Sequence, residues 1–198
     1  MRTLAILLGS AVALAGCATR PAADAPVAAA AVVDPNNPLM APGYMAMAAS
    51  SDQFEIQSSQ LAHQRAQSPA VHSMATMLIT DHTRTSQLLM GAAQSAGLTP
   101  PPPTLLPPHQ AMLDQLNAAG SGPAFDQAFQ QVQAQAHAEA LQLHQNYAVS
   151  GDVPALRTVA AGAVPVIQAH LQHAQTMQVA APPAPMQAPP VRRAGERG

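Results

Sequence analysis

The 198-residue sequence contains a single cysteine, Cys17, and no lysine. One cysteine excludes an internal disulfide framework and any cysteine-rich metal site. The basic residues of the central part of the chain are only Arg65, Arg84 and Arg157. Three arginines are too few to form a basic surface that binds successive phosphates, so nucleic acid is not an expected partner. The sequence also contains no nucleophile paired with a base, no phosphate-binding loop and no dinucleotide fingerprint.

The first residues are typical of an export signal. A short positive start at Arg2 is followed by an apolar run, residues 4–14, that is too short to span a bilayer. The run ends in the sequence LAGC, which resembles a bacterial lipoprotein signal and implies cleavage before a lipidated Cys17. Ala18 rather than aspartate comes next, which by the same resemblance favours the periplasmic side of the outer membrane. An ordinary cleaved signal is the alternative. The expected partner is the membrane, and protein partners are left open.

The composition divides the chain into four regions. Residues 1–16 form the signal, residues 17–42 an Ala- and Pro-rich flexible tether, residues 43–179 a folded domain, and residues 180–198 a disordered Pro-rich tail. About 135 residues are enough for one domain with its own core. We expect any binding site or chemistry to lie in this domain.

The fold class is predicted to be all-α. Ala, Gln, Leu and Met, which favour helices, dominate the domain, and no alternating β-branched run is present. We expect four long helices and a short one, at about residues 43–67, 68–97, 109–118, 123–150 and 152–179. The long helices form two hairpins joined by a proline-rich crossover, which makes a four-helix bundle with a short extra helix.

Several helix ends are predicted from single residues. Ser68 and Asp152 are expected to act as N-caps, and Gly97 and Gly151 are expected to end helices. Pro165 lies inside the last helix and should kink it, because proline lacks the amide hydrogen and crowds the preceding turn.

Residues of the metal-ligand type are predicted to lie at one level of the bundle. Glu55 precedes the Ser68 turn and His82 follows it at a similar separation, so both are about 20 Å from the same turn. In the second hairpin, His170 lies farther beyond Asp152 than His137 lies before Gly151, by about one helical turn. This offset argues against a common level. From spacing alone, a metal site and a hydrogen-bonded Glu–His network both remain open.

Four motifs together resemble the bacterial family called domain of unknown function 4142. They are AxxSDQFEIxxSQLA around Glu55, SxxVxxMAxxMxxDHT through His82, FDxxFxxxQxxxH ending at His137, and VPVIQAHL around His170. The resemblance covers about residues 43–179. It implies a ferritin-like four-helix bundle, usually in exported proteins, with no established reaction. The positions that match the polar core of the family are Glu55, Asp81, His82, His137 and His170.

The sequence departs from di-iron ferritins, which use Glu-x-x-His on two helices. Here Ile79 and Ile167 stand three residues before the histidines of the second and last helices. With one inward glutamate, the site has too few carboxylates to bridge two irons. Iron storage is therefore not the favoured interpretation.

We interpret the chain as an exported, lipid-anchored bundle that binds one transition metal ion, which could be zinc, iron, nickel or copper. The expected ligands are Glu55, His82, His137 and His170, and the polar residues expected around them are Asp81, His144 and His173. The first alternative is a structural or interaction module of the cell envelope whose buried histidines bind no metal. The second alternative is an iron- or copper-dependent redox enzyme. The interpretation favours binding over catalysis.

Overall fold

The computed structural model describes residues 36–181, and five α-helices account for most of this part of the chain. They are α1 (Ala41–Arg65), α2 (Pro69–Ser95), α3 (Pro107–Ala118), α4 (Pro123–Ser150) and α5 (Pro154–Thr176). Residues 36–181 contain no β-strand, and the all-α prediction is confirmed. No helix within this range is long and apolar enough to cross a membrane. The predicted signal, Cys17, most of the tether and nearly all of the tail lie outside the described residues.

Proline marks the start of every one of these helices, in the first or second position. Its missing amide hydrogen has no partner to lose there, and its fixed φ suits a helix. Of the two predicted N-cap positions, Ser68 is confirmed and Asp152 is wrong. Ser68 precedes α2 with an extended backbone, but its side chain makes no capping hydrogen bond. Val153, rather than Asp152, holds the N-cap position of α5.

A buried carboxylate organises the turn between α1 and α2. Asp126 of α4 accepts hydrogen bonds from the backbone amides of Gln67 and Ser68, at 3.1 and 3.0 Å. These two amides lie outside the helical hydrogen bonds of α1 and α2, and a side chain from another helix supplies their acceptor. The turn is thereby fixed to α4.

The end of α2 follows the prediction. Gly97 has φ +71°, which glycine adopts at little cost. Its amide donates to the carbonyl of Gln94 and that of Leu98 donates to the carbonyl of Ala93, which is the Schellman arrangement.

The long helices make their most extensive contacts within two helical hairpins. α1 contacts α2 and α4 contacts α5 most extensively, while α2 with α5 and α1 with α4 make the contacts between hairpins. The short α3 packs on α1 and α4. Each long helix therefore touches a partner in its own hairpin and one in the other hairpin. The ferritin-like arrangement of the bundle stays a prediction, as does a kink at Pro165, which is exposed within the continuous helix α5.

Two apolar clusters fill most of the core. The first lies towards the α1–α2 turn and includes Phe54, Leu78 and Phe129. The second includes Tyr44 and Tyr147. Between these clusters every long helix contributes buried polar side chains, among them Asp52, Glu55, Ser58, His82, Gln133, His137, His144 and His170. Buried polar groups require partners, so this layer is where the chemistry of the domain is concentrated.

Candidate metal centre

Three histidines from three helices meet in the polar layer. His82 of α2, His137 of α4 and His170 of α5 are only 4, 1 and 2% exposed. One ring nitrogen from each lies within 4.8 Å of those of the other two. Their ring centroids are 5.3 to 5.7 Å apart. Three imidazoles at this spacing can surround one ion.

The predicted difference in height along the bundle between His137 and His170 does not keep their rings apart. The connection from Gly151 to Val153 lies outside both helices, because α4 ends at Ser150 and α5 begins at Pro154. Counted from these helix ends, the offset between His137 and His170 falls from about one turn to about 4.5 Å along the axis. Imidazole side chains are long enough to span that remainder.

Each of the three rings has one nitrogen in a hydrogen bond. His82 Nδ1 donates to Asp52 Oδ1 at 2.8 Å, and His170 Nε2 donates to Asp81 Oδ2 at 2.9 Å. His137 Nδ1 donates to the backbone carbonyl of Gln133 at 2.9 Å. Because carboxylates and carbonyls only accept, these bonds place the ring proton on the bonded nitrogen.

The other nitrogen of each ring is buried and has no hydrogen-bond partner. These atoms are His82 Nε2, His137 Nε2 and His170 Nδ1. With the proton held on the opposite side, each carries a free lone pair. An imidazole whose second nitrogen is fixed by a carboxylate or carbonyl is the usual form of a metal-ligating histidine.

Asp52 is the functional residue that sequence reasoning missed. Its carboxylate is buried and is held by the hydroxyls of Thr85 at 2.8 Å and Ser86 at 3.0 Å, in addition to His82. A signal was present, because Asp52 lies three residues before Glu55 and the two carboxylates therefore share a helix face.

Glu55 lies beside the three histidines rather than among them. It is 1% exposed, and its Oε1 is 3.7 Å from His137 Nδ1, the nitrogen already bonded to a carbonyl. Its Oε2 is buried without a partner. Burial raises the pKa of Glu55 to about 7, although the charge of His82 acts to lower it. The structure thus places the predicted carboxylate next to the site, where it can offset the charge of a cation.

The environment keeps two of the three rings neutral. Burial, followed by the charge of His82, lowers the pKa of His137 to about 3. Burial also lowers the pKa of His170, against the opposing effect of Asp81. For His82, burial acts to lower the pKa, but the hydrogen bond to Asp52 and the charges of nearby carboxylates together raise it. Neutral imidazole is the form that binds metal.

The residues predicted around the ligands have different positions. Asp81 is partly exposed and bonded to His170, as described. The Nδ1 of His144 lies 3.1 Å from the hydroxyl of Tyr44, whose ring stacks on that of Tyr147. Burial lowers the pKa of His144 to about 4. His173 is half-buried one turn after His170, and its charge acts to lower the pKa of His170.

Two neighbouring cavities lie on the α2–α5 side of the site. The inner cavity has a volume of about 10 Å³ and is lined by residues that include His82, His144 and His170. This volume is about that required by one water molecule. The outer one is a groove of about 340 Å³ between α2 and α5, with Gly162 and Leu88 in its walls. Both are lined by Asp81, Thr85, Ala163 and Val166, so the groove lies directly outside the site.

Comparison with known proteins identifies the family of the chain and two structures of similar fold. A family model described as "Domain of unknown function (DUF4142)" matches residues 22–177. No curated protein matches the chain. A solved structure described as "CopM in the Cu(II)-bound form" is similar, with a TM-score of 0.58 and 20% identity, covering 69% of this chain and 93% of that one. Another, "CopM in the Ag-bound form (by co-crystallization)", has a TM-score of 0.56 and 19% identity, with the same coverage. Identities this low establish likeness of fold alone.

Proposed function

We propose that this chain, which belongs to the DUF4142 family, binds one copper ion through His82, His137 and His170. One cluster carries the proposal: His82, His137 and His170 each bring a ring nitrogen within 4.8 Å of the others, and each ring has one buried nitrogen without a hydrogen-bond partner. A buried polar atom left without a partner costs about 1–3 kcal/mol. A cation bound between the rings satisfies all three atoms at once.

The spacing of the nitrogens fits one ion after a small adjustment. Bonds of about 2.0–2.1 Å from one ion place its nitrogen ligands about 3.3–3.6 Å apart, for tetrahedral or trigonal geometry. The ring nitrogens lie within 4.8 Å of one another, so side-chain movements of about 1 Å would close the site. The inner cavity leaves space for a water molecule or another small fourth ligand.

The donor set and the charges favour copper. Imidazole suits copper, zinc, iron and nickel, and copper forms the strongest complexes of the divalent ions with such ligands. The carboxylates of Asp52, Glu55 and Asp81 supply negative charge around three imidazoles. Two structures of similar fold are described with Cu(II) and Ag.

The first prediction concerns stoichiometry. After incubation with copper, and removal of surface ions with a chelator, elemental analysis should find one copper per chain. Replacement of His82, His137 or His170 by Ala should abolish retention, because each removes one of three ligands. Copper at 100 times its Kd should stabilise the protein by about 2.7 kcal/mol, a rise in Tm of about 5–10 °C.

His144→Ala is the matched control, because His144 is buried in the same layer but bonds to Tyr44. It should retain the copper. If the wild-type protein retains no copper, and its Tm does not rise with copper, zinc, nickel or iron, the three histidines form a hydrogen-bonded structural network instead.

The second prediction concerns the two carboxylates that accept hydrogen bonds from the rings of His82 and His170. Asp52→Asn and Asp81→Asn should each weaken copper binding about 10- to 100-fold, because each removes the charge that orients one imidazole and increases its basicity. Competition with a chelator of known affinity measures the change. Asp126→Asn is the control, since Asp126 is also buried but binds the amides of the α1–α2 turn. An equal loss of affinity in Asp126→Asn would show a general loss of structure rather than a role in positioning.

We further propose that the groove between α2 and α5 is the entry route for the ion. Gly162 lines this groove, and a Cβ at Gly162 would meet no atom within 4 Å. A larger side chain can therefore fill the groove without displacing the helices. The partly exposed Asp81 lies at the boundary of groove and inner cavity, where a carboxylate attracts cations.

The third prediction tests this route. Gly162→Leu should slow copper loading several-fold in stopped-flow measurements and leave Kd unchanged, because an obstruction slows entry and exit equally. Gly91→Leu is the control, because Gly91 is an exposed helical glycine with equally open surroundings outside this groove. A loading rate for Gly162→Leu equal to that of Gly91→Leu would place the entry route elsewhere.

We also propose that the protein is exported and anchored by a lipid on Cys17, at the periplasmic side of the outer membrane. The support is the LAGC sequence after a short apolar run. The fourth prediction is that wild-type protein fractionates with membranes until detergent is added, whereas Cys17→Ser does not acquire the lipid. Recovery of wild-type protein in the soluble periplasmic fraction would contradict the anchor.

A further inference from the structure

A pair of histidines lies at the α1–α2 turn, away from the central site. His63 is in the last turn of α1 and His72 is in the first turn of α2. Their Nδ1 atoms are 3.5 Å apart and their rings are nearly parallel, with 24° between the planes. His63 is exposed and His72 partly so. His63 lies eight residues after Glu55 on α1, about 12 Å along the helix, so the pair is separate from the central site.

The hydrogen bonds around the pair indicate where the ring protons are. His72 Nε2 is 3.2 Å from the carbonyl oxygen of Ala66, which only accepts, so this nitrogen carries the proton. The Thr76 hydroxyl donates to the carbonyl of His72 at 3.0 Å, and its oxygen lies 3.5 Å from His63 Nε2. With the His72 proton on Nε2, the 3.5 Å hydrogen bond between the rings runs from His63 Nδ1 to the lone pair of His72 Nδ1.

A divalent ion between the two rings would replace this shared proton, which would move to His63 Nε2 beside the Thr76 oxygen and solvent. With bonds of about 2.0–2.1 Å, nitrogens 3.5 Å apart subtend an angle of about 113–122° at a shared ion. This is close to the tetrahedral angle. The exposure of both rings leaves the other coordination positions to water.

We propose that His63 and His72 form a second metal site, a two-histidine chelate for a divalent transition ion of the zinc class. The helical hairpin holds both rings in place. Arg65 is the cationic residue nearest to the pair in sequence. Its guanidinium donates a hydrogen bond to the carbonyl of Asn117 in α3, at 3.0 Å. This site shares no residue with the proposed copper site, so the two proposals can be tested independently.

Zinc binding to the purified protein tests the proposal, with zinc as a redox-inactive probe. In equilibrium dialysis without a competing chelator, wild-type protein should bind one zinc more per chain than His63→Ala or His72→Ala. Both single variants should lose the same equivalent, because one imidazole cannot form the chelate. Gln64→Ala, which changes an exposed neighbour, should bind as wild type does. Because the result is a difference between proteins with an intact central site, failure of the copper proposal does not affect it.

Nitrogen-15 NMR of the imidazoles provides the second measurement. Zinc should shift the Nδ1 resonances of His63 and His72 together, in monomeric protein. Equal zinc content in wild type and both variants would show that the rings share only a hydrogen bond, and would overturn the proposal. A shift of one ring alone, or binding seen only in zinc-linked dimers, would also overturn it.

Discussion

The hydrogen bond between Asp52 and His82 is the interaction on which the central layer depends. It connects α1 to α2, and it orients the imidazole whose ring lies near both His137 and His170. Thr85 and Ser86 lie on the same helix as His82, and their hydroxyls donate to Oδ1 and Oδ2 of this carboxylate. Removing the carboxylate would leave the buried imidazole N–H without an acceptor, which commonly costs about 1–3 kcal/mol. Orientation of the layer and stability of the hairpin therefore depend on the same bond.

The acceptors behind the three rings differ in charge and exposure. His137 bonds to a backbone carbonyl of its own helix, so its orientation follows from the helix itself. His82 and His170 bond to carboxylates on other helices, and their orientation requires correct packing. Since Asp81 is about one-third exposed, the third acceptor is in contact with solvent. The orientation of the rings is thus fixed by buried acceptors at His82 and His137, whereas solvent reaches the acceptor of His170 on the α2–α5 side.

Much of the fold could be predicted because local chemistry determines it. Prolines and glycines marked the helix starts and ends, and counting residues from Ser68 placed Glu55 and His82 at similar heights. The failures involve contacts between distant parts of the chain. Asp126 fixes the α1–α2 turn from α4, 58 residues away from Ser68, and no local pattern shows this. Asp52 was missed for a similar reason, since its partners lie on α2.

The positions of the carboxylates fit the proposed single ion better than a pair of ions. In di-iron bundles, carboxylates lie between the metals and bridge them. Here Asp52 and Asp81 bind the outer sides of imidazoles, so they are turned away from the space enclosed by the rings. Ile167, buried three residues before His170, occupies the position where a di-iron site requires glutamate. Glu55 is the one remaining carboxylate near that space, and it contacts the bonded side of His137. A second ion would have no bridging ligand, whereas three imidazole nitrogens suffice for the first.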